Sequence, residues 1–543
     1  MIQKMRDDMK PRRWSSLLEV AIMLVVLTMQ SGIRSAGASD TIYIRSDGSV
    51  SPPSAPFHAL DNITYELEGD VNGEIVVQRS NIVIDGKNHT IHGTGGGYGL
   101  TLSSVNGVVI RNTNVLGFGD GVWLSNSFNI SIVGNRMTEN VFSGISVYSS
   151  SNNNIDENDI AGGRYGIFLV SSSENNIRRN NLTRTEVSGI SFEAYSNNNT
   201  VTSNVFVGSG VLVGSSFGNV LEGNTVNSKP LVFLEGVSNR AVTDAGQVVL
   251  VNCTNVQIEN IHIDDTVAGL ELWNTSNARI LNNRIENSYF GIRLSSSTNV
   301  SVVGNTITGN NYGVELWRSS QTILTHNNFV DNVHQVHDAA WDDPEIAPSA
   351  VVLDSGYASG GNFWSGYTGV DLHDGVGQNE DGSDAIGDTA YVLHEGAQDN
   401  YPLMGTFFDF IVSSENHVQI VSNLSVSEFQ FNGSAICFNL TLESDGVGFC
   451  RINIPLTILN KPLEVFLNGT TLSVQELSCS DSKQSCLYFT YKGSTDKITI
   501  LPEFTASILF AMLMTVTAIL LATRAKARVH TTYPRNNSRI DEH

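Results

Sequence analysis

The sequence has few charged residues and little sign of helix. Charged residues make up only 16% of its 543 residues, against about 25% in a typical soluble domain. No long segment places apolar residues at helical spacing, so long surface helices are not expected. The charges that are present are mostly acidic, and the formal net charge is −23. Because such a chain repels phosphate backbones, nucleic-acid binding is excluded.

The N-terminus reads as a targeting segment. Basic residues precede an apolar stretch over residues 17–29, and Ala36-Gly37-Ala38 follows. This order of basic, apolar and small residues is typical of a signal peptide with its cleavage site. We therefore predict a signal peptide over residues 1–38.

The C-terminus reads as a membrane anchor. Residues 504–523 carry no charge and are long enough to span a bilayer as a helix. Basic residues from Arg524 onward place that side in the cytoplasm. We predict a transmembrane anchor over 501–524 and a cytoplasmic tail over 525–543, so the body lies on the extracellular face of the membrane. Pro502-Glu503-Phe504 resembles the sorting tails of archaeal surface proteins, which leaves cleavage by a sortase as the alternative.

The body repeats with a period near 22 residues. Glycine followed by apolar-any-apolar recurs at Gly99, Gly121, Gly144, Gly166, Gly189, Gly210, Gly269, Gly291 and Gly313. Asparagine followed by any residue and an apolar one recurs at Asn135, Asn158, Asn180, Asn204, Asn224, Asn283, Asn305 and Asn327. Two motifs locked in one period indicate one structural unit that stacks on itself.

This repeat predicts a right-handed parallel β-helix over residues 39–340, with coils about 4.8 Å apart. The first and third residues after each glycine point inward, and the asparagines stack from coil to coil. The spacing breaks between Pro230 and Gly269, where an extra strand pair around residues 247–251 must be accommodated.

Two further segments follow the repeats. Residues 341–406 are rich in glycine, aspartate and aromatic residues and close the β-helix. Residues 407–500 contain alternating apolar runs, such as 425–431 and 436–442, which are typical of an antiparallel β-sandwich. The predicted fold is therefore all-β: a parallel β-helix followed by a small β-sandwich.

Four motifs give the most specific resemblance. DGKNHTI stands at residues 85–91, GNFWSGY at 361–367, SDAIGDTAY at 383–391 and DNYPLM at 399–404. With the repeats, they resemble the NosD-type β-helix family over about residues 60–405. That family includes periplasmic copper-binding accessory proteins and many archaeal surface proteins, and its repeats are shared with carbohydrate-binding proteins and sugar hydrolases. The resemblance implies the fold and leaves the chemistry open.

Copper is the first ligand that the resemblance suggests. The candidate ligands are His326, His334, His337, Asp338, His373 and His394. Soft ligands for Cu(I) are nearly absent, because Met137 and Met404 are the only methionines of the body. Copper is therefore not expected as a cofactor.

Calcium is a second candidate cofactor. A glycine-rich loop near the end of the β-helix gathers Asp371, Asp374, Asp381, Asp384 and Asp388. Carboxylates on a flexible backbone suit Ca²⁺, although the spacing is not that of an EF-hand. The alternative is a solvated acidic loop.

The last segment carries four of the five cysteines. Its stretch GFCRINIP, at residues 448–455, resembles a module found before the membrane anchor of archaeal surface proteins. The resemblance suggests the disulfides Cys437–Cys450 and Cys479–Cys486, although four cysteines allow three pairings. Extracellular placement also makes the Asn-x-Ser/Thr sequons candidates for glycosylation.

A binding surface is predicted from the outward positions after the repeated glycines. It comprises Trp123, Tyr148, Glu193, Glu271, Trp273, Arg293, Glu315 and Trp317. Aromatic rings beside carboxylates suit sugars, which offer apolar faces and hydroxyl edges. We expect Arg293 to lie between Glu271 and Glu315 and to keep both ionised, which argues against an acid catalyst there.

The predicted function is therefore the non-catalytic binding of glycans or other extracellular polymers at the cell surface. A polysaccharide lyase or glycoside hydrolase is the alternative, although Asp264-Asp265 is the only adjacent aspartate pair within the repeats. A copper-binding accessory protein of NosD type is the third possibility.

Overall fold

The structure is a computed structural model. It describes residues 41–441, 447–492 and 495–503. The predicted signal peptide and membrane anchor lie outside these residues. Within the described ranges, no helix has the length and hydrophobicity needed to cross a membrane.

The described chain forms two compact units. The first ends at Leu403, and the second contains Met404 onward together with Ser383–Ala385. The first unit is a parallel β-helix of the right-handed type with about 12 turns, and it includes a three-residue 3-10 turn at Ala339–Trp341. The predicted β-helix is therefore confirmed.

The first part of the β-helix, which we call the first stack, begins at Ile42 and has three sheets. Sheet 1 contains Val50–Ser51, Ile42–Ile44, Ile75–Val77, Tyr98–Ser103, Asp120–Ser125, Ser143–Tyr148, Tyr165–Val170, Ser188–Glu193 and Val211–Val213, in this spatial order. Sheet 2 contains Phe57–Ala59, Thr64–Leu67, Val83–Asp85, Val109–Arg111, Ser131–Val133, Asn154–Asp156, Asn176–Arg178, Thr200–Thr202 and Val220–Glu222. Sheet 3 starts with Val71–Asn72, Thr90–His92, Asn114–Leu116, Arg136–Thr138, Asp159–Ala161, Asn181–Thr183, Val205–Val207 and Thr225–Val226.

Sheet 3 continues into the second part of the β-helix, the second stack. Its remaining strands are Lys229–Glu235, Gln247–Val251, Ala268–Trp273, Phe290–Ser295, Tyr312–Trp317 and His334–Asp338. Sheet 4 contains Ser238–Val242, Thr254–Glu259, Arg279–Leu281, Ser301–Val303, Thr322–Thr325 and Val351–Val352. Sheet 5 contains His262–Asp264, Arg284–Glu286, Thr306–Thr308, Asn328–Val330 and Phe363–Trp364. Two short hairpins follow, His373–Asp374 with Glu380–Asp381 and Tyr391–His394 with Ala397–Asp399.

Stacked apolar side chains fill the coils. Ile145, Ile167 and Ile190 occupy one register of sheet 1, and all three are fully buried. Each coil therefore buries its inward residues against the coils before and after it, as the repeated glycine motif predicts.

Stacked asparagines close the corners of the coils. Asn158 donates from its side-chain nitrogen to Asn180 Oδ1 (2.9 Å) and to the carbonyl of Ile132 (2.9 Å). Asn180 repeats this pattern with Asn204 (3.0 Å) and Ile155 (2.9 Å). The predicted asparagine ladder is confirmed, and it satisfies backbone groups that would otherwise be buried without partners.

The chain direction reverses between the two stacks. Val226 pairs antiparallel with Lys229, and the two residues between them have left-handed φ angles, 48° at Asn227 and 69° at Ser228. Two consecutive left-handed residues are the mark of a type I′ hairpin. The break in spacing is therefore a hairpin, and not only an inserted strand.

The strand Gln247–Val251 lies between two hydrophobic cores. Val249 and Val251 pack into the core of the first stack, while Val248 and Leu250 pack into that of the second. All five residues of the strand are buried. The second stack consequently turns the outward face of its first strands toward the end of the first stack.

The second unit consists of two five-stranded antiparallel sheets that share one core. One sheet contains Thr406–Ser413, Asn416–Ser422, Gly448–Pro455, Gln484–Tyr491 and Gln475–Glu476. The other contains Ser425–Phe431, Ile436–Thr441, Thr495–Pro502, Leu463–Leu467 and Thr470–Leu472. Two facing sheets around one core are the arrangement of a β-sandwich.

The structure holds the four cysteines of the second unit as free thiols, and the two disulfides stay predictions. Cys437 lies in one sheet of the second unit and Cys450 in the other, where Cys450 is fully buried. The Cys437 thiol points to the hydroxyl of Thr499 (3.8 Å). The thiols of Cys479 and Cys486 lie within hydrogen-bonding distance of each other as free cysteines.

The asparagine ladder yields a prediction about stability. Asn180→Ala removes the acceptor of two buried donors on Asn158 and the donor to the carbonyl of Ile155. Leaving such groups unpaired costs about 1–3 kcal/mol each, so we expect the free energy of unfolding to fall by about 3–5 kcal/mol. Urea denaturation followed by circular dichroism measures this loss.

The neighbouring asparagine supplies a matched control. Asn181 is exposed, and its side chain only bonds the exposed Asp159 (3.0 Å). Asn181→Ala should change stability by less than about 0.5 kcal/mol. Equal losses in both variants would contradict a structural role for the ladder.

Candidate binding site

A row of aromatic rings runs along the outer surface of sheet 1. Trp123 lies between Tyr98, with ring centroids 5.0 Å apart, and Tyr148, at 6.3 Å. Phe168 continues the row at 6.1 Å from Tyr148. All four rings are partly exposed because they alternate with the inward residues of their strands.

Two further rings widen this row. Phe142 and Tyr165 lie 5.4 Å apart, and each contacts Phe168, at 5.5 and 4.5 Å. We call the six rings the aromatic face: Tyr98, Trp123, Phe142, Tyr148, Tyr165 and Phe168. Trp123 and Tyr148 were predicted from the sequence, and the structure brings both into this one surface.

A polar group lies beneath the rings. Ser143 and Ser146 each donate from the hydroxyl to Asp120 Oδ1, both at 2.6 Å. Asp120 is only 2% exposed, and burial raises the pKa of its carboxyl to about 6 while the two serine hydrogen bonds oppose the shift. Burial also raises the pKa of the Tyr148 phenol, and the nearby Asp120 carboxylate raises it further.

Charged residues of both stacks form a separate, largely buried cluster. We call Glu193, Glu271, Arg293 and Glu315 the junction cluster. Arg293 lies 3.5 Å from Glu271 Oε1 and 2.9 Å from Glu315 Oε2. The side chains of Arg293 and Glu315 are 21% and 13% exposed, and that of Glu271 is 0% exposed. Arg293 is therefore between the two glutamates, as the sequence predicts.

The prediction that Glu271 belongs to an exposed platform is wrong. Its carboxylate accepts from the backbone nitrogen of Val213, at 3.1 and 3.4 Å. Val213 belongs to the last strand of sheet 1, whose outer edge has no neighbouring strand. Glu271 thus supplies the acceptor that a further strand would have supplied.

Gln247 closes the same edge. Its side-chain amide donates to the carbonyl of Val211 (2.7 Å) and accepts from the Val211 nitrogen (2.9 Å). Thr266 adds a hydroxyl donor to the carbonyl of Ser209 (3.0 Å). Three side chains of the second stack therefore replace the backbone of a missing strand.

The ionisation of Glu271 also differs from the prediction. Burial raises the pKa of its carboxyl to about 7, although Arg293 and the Val213 amide favour the charged form. The removal from water outweighs the nearby guanidinium. Glu193 contributes to the same rise, and its own carboxylate lies against Gly214 and accepts from Ser191 (3.1 Å).

The two predicted tryptophans of the second stack do not form a face together. Trp273 packs against the core of the first stack, whereas Trp317 is partly exposed. Ser295 lies between them in the register of the sheet. Trp273 therefore belongs to the contact between the stacks.

The candidate copper ligands do not fit a copper site. His334 and His337 have ring centroids 5.7 Å apart, and His337 Nε2 lies 3.0 Å from Asp342 Oδ2. His394 stacks on Trp341 at 4.7 Å. In residues 41–441, 447–492 and 495–503, no three histidine, cysteine, aspartate or glutamate side chains converge on one point.

The remaining candidate ligands are held in other contacts. His326 Nε2 bonds the carbonyl of Ser359 (2.9 Å), and Met137 is fully buried in the core. His373 Nδ1 is bonded to Asp388 (2.9 Å). The side chains thus lack the soft, convergent donor set that copper prefers.

The structure also does not bring the predicted calcium ligands together. Asp388 accepts from His373 and from the backbone nitrogen of Leu372 (3.1 Å). Asp374 pairs with Glu380 in a short hairpin. Asp381 is exposed, and Asp384 is buried in the second unit. The carboxylates of these residues do not converge on one point, and a calcium site formed by them and Asp371 stays a prediction.

Several residues of the site were not predicted from the sequence. Asp120 occupies the position before a repeated glycine, as Tyr98 and Tyr165 do. Comparing that one position between the repeats would have found all three. No sequence pattern indicates the role of Gln247, because that role depends on the end of the first stack lying opposite its side chain.

These features define a two-stack parallel β-helix with an aromatic outer face. The chain matches the family described as Periplasmic copper-binding protein (NosD) over residues 40–230 and 237–369, more than half of its length. It therefore belongs to the NosD family. The gap in the match, residues 231–236, covers most of the strand Lys229–Glu235, which begins the second stack. A comparison with curated proteins found no match.

A comparison with solved structures found distant similarities. A mutant of the periplasmic alginate epimerase AlgG is 14% identical, with 57% of this chain and 82% of that chain covered and a TM-score of 0.30. The alginate lyase from Paenibacillus sp. strain FPU-7 is 18% identical, with 52% and 91% covered and a TM-score of 0.25. The tailspike protein of E. coli bacteriophage HK620, solved with a pentasaccharide, is 11% identical, with 81% and 82% covered and a TM-score of 0.31. Similarity at these TM-scores supports no conclusion about this chain.

The raised pKa of Glu271 predicts a pH dependence of stability. Its carboxyl titrates near 4.5 when unfolded and at about 7 when folded. The folded state therefore holds the proton more tightly, and its stability is greatest below pH 4.5 and falls as the pH rises to 7. A shift of this size corresponds to roughly 3 kcal/mol. Glu271→Gln keeps an acceptor for Val213 and should remove this part of the pH dependence.

The measurement is the unfolding temperature of the full chain between pH 4.5 and 8. Relative to wild type, Glu271→Gln should gain stability as the pH rises across that window. Glu222→Gln changes an exposed glutamate and should follow wild type. If Glu271→Gln also follows wild type at every pH, Glu271 is not titrating in the junction cluster.

Proposed function

We propose that this protein binds a glycan along the aromatic face without changing it chemically. The observation that supports this most is the row Tyr98, Trp123, Tyr148 and Phe168, in which partly exposed rings follow one another over four consecutive coils. A row of this kind matches an extended polymer better than a small ligand, because equivalent contacts recur along one direction.

The chemistry of the face suits sugars. Aromatic rings offer apolar surfaces on which the apolar faces of sugar rings stack. Hydroxyl groups at the edges of sugars need donors and acceptors. Thr101 is the neighbour of Trp123 on the adjacent strand, and Ser125 lies two residues after Trp123 on the same strand. Stacking with hydrogen bonds at the ring edges is the combination that a polyhydroxylated ligand requires.

Catalysis is less well supported than binding. Glycoside hydrolysis uses two carboxyl groups on either side of the scissile bond. Asp120 and Glu74 both lie beside the aromatic row, but each is already engaged: Asp120 Oδ1 accepts from two serines, and Glu74 accepts from the hydroxyl of Thr101. Glu271, whose pKa lies near neutrality, is fully buried against Val213.

The predicted signal peptide and membrane anchor complete this proposal. They would place the body on the extracellular face of the membrane, where glycans and other polymers are its partners. Both segments remain sequence predictions, and the aromatic face does not depend on either.

Substitution of Trp123 tests the proposal. Trp123→Ala removes the ring that lies between Tyr98 and Tyr148, so we expect retention on a panel of immobilised polysaccharides to fall at least about tenfold. The side chain is partly exposed, and the unfolding temperature should fall by less than about 3 °C. Affinity electrophoresis and thermal denaturation measure the two quantities.

Trp317→Ala is a matched control, since it removes a partly exposed tryptophan from the second stack. We expect it to leave retention unchanged. If Trp317→Ala abolishes retention and Trp123→Ala does not, the binding surface lies on the second stack. Release of sugar from the panel by the wild type would favour the enzyme alternative.

A further inference from the structure

Two carboxylates flank one end of the aromatic face. Asp120 is the direct neighbour of Tyr98 in the register of sheet 1. Glu74 accepts a hydrogen bond from the hydroxyl of Thr101, and Thr101 is the direct neighbour of Trp123. Burial, Asp120 and Glu74 together raise the pKa of the Tyr98 phenol. Both carboxylates are therefore within electrostatic range of the first ring of the row.

No basic side chain offsets these carboxylates within the strands of the face. The five strands concerned contain neither lysine nor arginine: Ile75–Val77, Tyr98–Ser103, Asp120–Ser125, Ser143–Tyr148 and Tyr165–Val170. Arg164 stands just before the last of these strands, with its guanidinium 5.9 Å from the ring of Tyr165. Arg45 follows the strand Ile42–Ile44, which pairs with Ile75–Val77, and its guanidinium lies 6.0 Å from the ring of Tyr43. Both guanidiniums therefore lie outside the five strands.

We propose that the Tyr98 end of the aromatic face selects glycans built of uncharged sugars and rejects polymers of uronic acids. This inference rests on the proposed function and names its ligand class. A uronate carboxylate stacked over Tyr98 or Trp123 would meet Asp120 and Glu74, and the five strands of the face offer it no lysine or arginine to pair with. Like charges at such range are unfavourable, and partial burial weakens the screening by salt.

Uncharged sugars gain from the same groups. A carboxylate is an acceptor only, and a sugar hydroxyl is a donor as well as an acceptor. A hydroxyl directed at Glu74, which is partly exposed, forms a charge-assisted hydrogen bond, which is stronger than a bond between neutral groups. Both carboxylates therefore discriminate by charge, and Glu74 also contributes to the binding of a neutral glycan.

The test compares matched polymers that differ only in charge. The probes are polygalacturonate, polymannuronate and polyglucuronate, each beside its carboxyl-reduced form, in which every carboxylate has become a hydroxymethyl group. Binding of the full chain is measured by affinity electrophoresis at pH 8 and 0.15 M salt. At this pH Asp120, with a pKa of about 6, is ionised, and at this salt charges more than about 8 Å apart are largely screened.

We expect at least one reduced polymer to bind at least about tenfold more tightly than its uronate parent. Glu74→Gln and Asp120→Asn keep the hydrogen-bonding shape and remove the charge, so each should narrow that ratio by about threefold or more. Glu222→Gln, an exposed glutamate of sheet 2, should leave the ratio unchanged. Glu74 is partly exposed, so its variant is informative even if Asp120→Asn does not fold.

Three results would overturn the inference. Equal binding of a uronate and its reduced form would show that the face does not select by charge, while the proposed glycan binding would survive. A ratio that persists unchanged in both Glu74→Gln and Asp120→Asn would place the repulsion elsewhere on this acidic chain. Failure of every polymer to bind would overturn the proposed function itself.

Discussion

The open edge of a β-sheet is the constraint on which the rest of this structure depends. The strands of one β-helix coil do not pair with each other. The backbone N–H and C=O groups of each strand therefore need hydrogen-bond partners on the coil before or after it. Within the stacks this need is met by successive coils, and at the corners by asparagines such as Asn158 and Asn180. At the end of the first stack the next coil is missing, because the chain has turned away at Asn227 and Ser228.

The second stack meets this need with side chains, and that determines which surface is free. Gln247 and Glu271 lie on the outward face of its first strands and bond to Val211 and Val213. That face is therefore not available as an exposed binding surface, although its charged and aromatic residue types are typical of one. The outward side chains of sheet 1 around Trp123 do not close a sheet edge, and these rings stay partly exposed. The same closure explains why a glutamate beside Arg293 has a pKa near neutrality.

Much of the fold could be predicted from the sequence, because the β-helix is defined by local repeats. The glycine and asparagine periods predict the coils, and Ile145, Ile167 and Ile190 stack as expected. The hairpin between the stacks was missed because its turn is Asn-Ser, and the usual signal for a type I′ turn is Asn-Gly. The burial of Glu271 could not be predicted, since its register alone makes it an outward residue and only the position of the other stack covers it.

Hydrogen exchange at the backbone amides of Val211 and Val213 tests this account most directly. If the side chains of Gln247 and Glu271 close the edge of sheet 1, both amides exchange slowly in the wild type. Gln247→Ala then accelerates the exchange of Val211 far more than that of residues in the interior of sheet 1. Rapid exchange of both amides in the wild type, as expected for an open edge, would contradict the account.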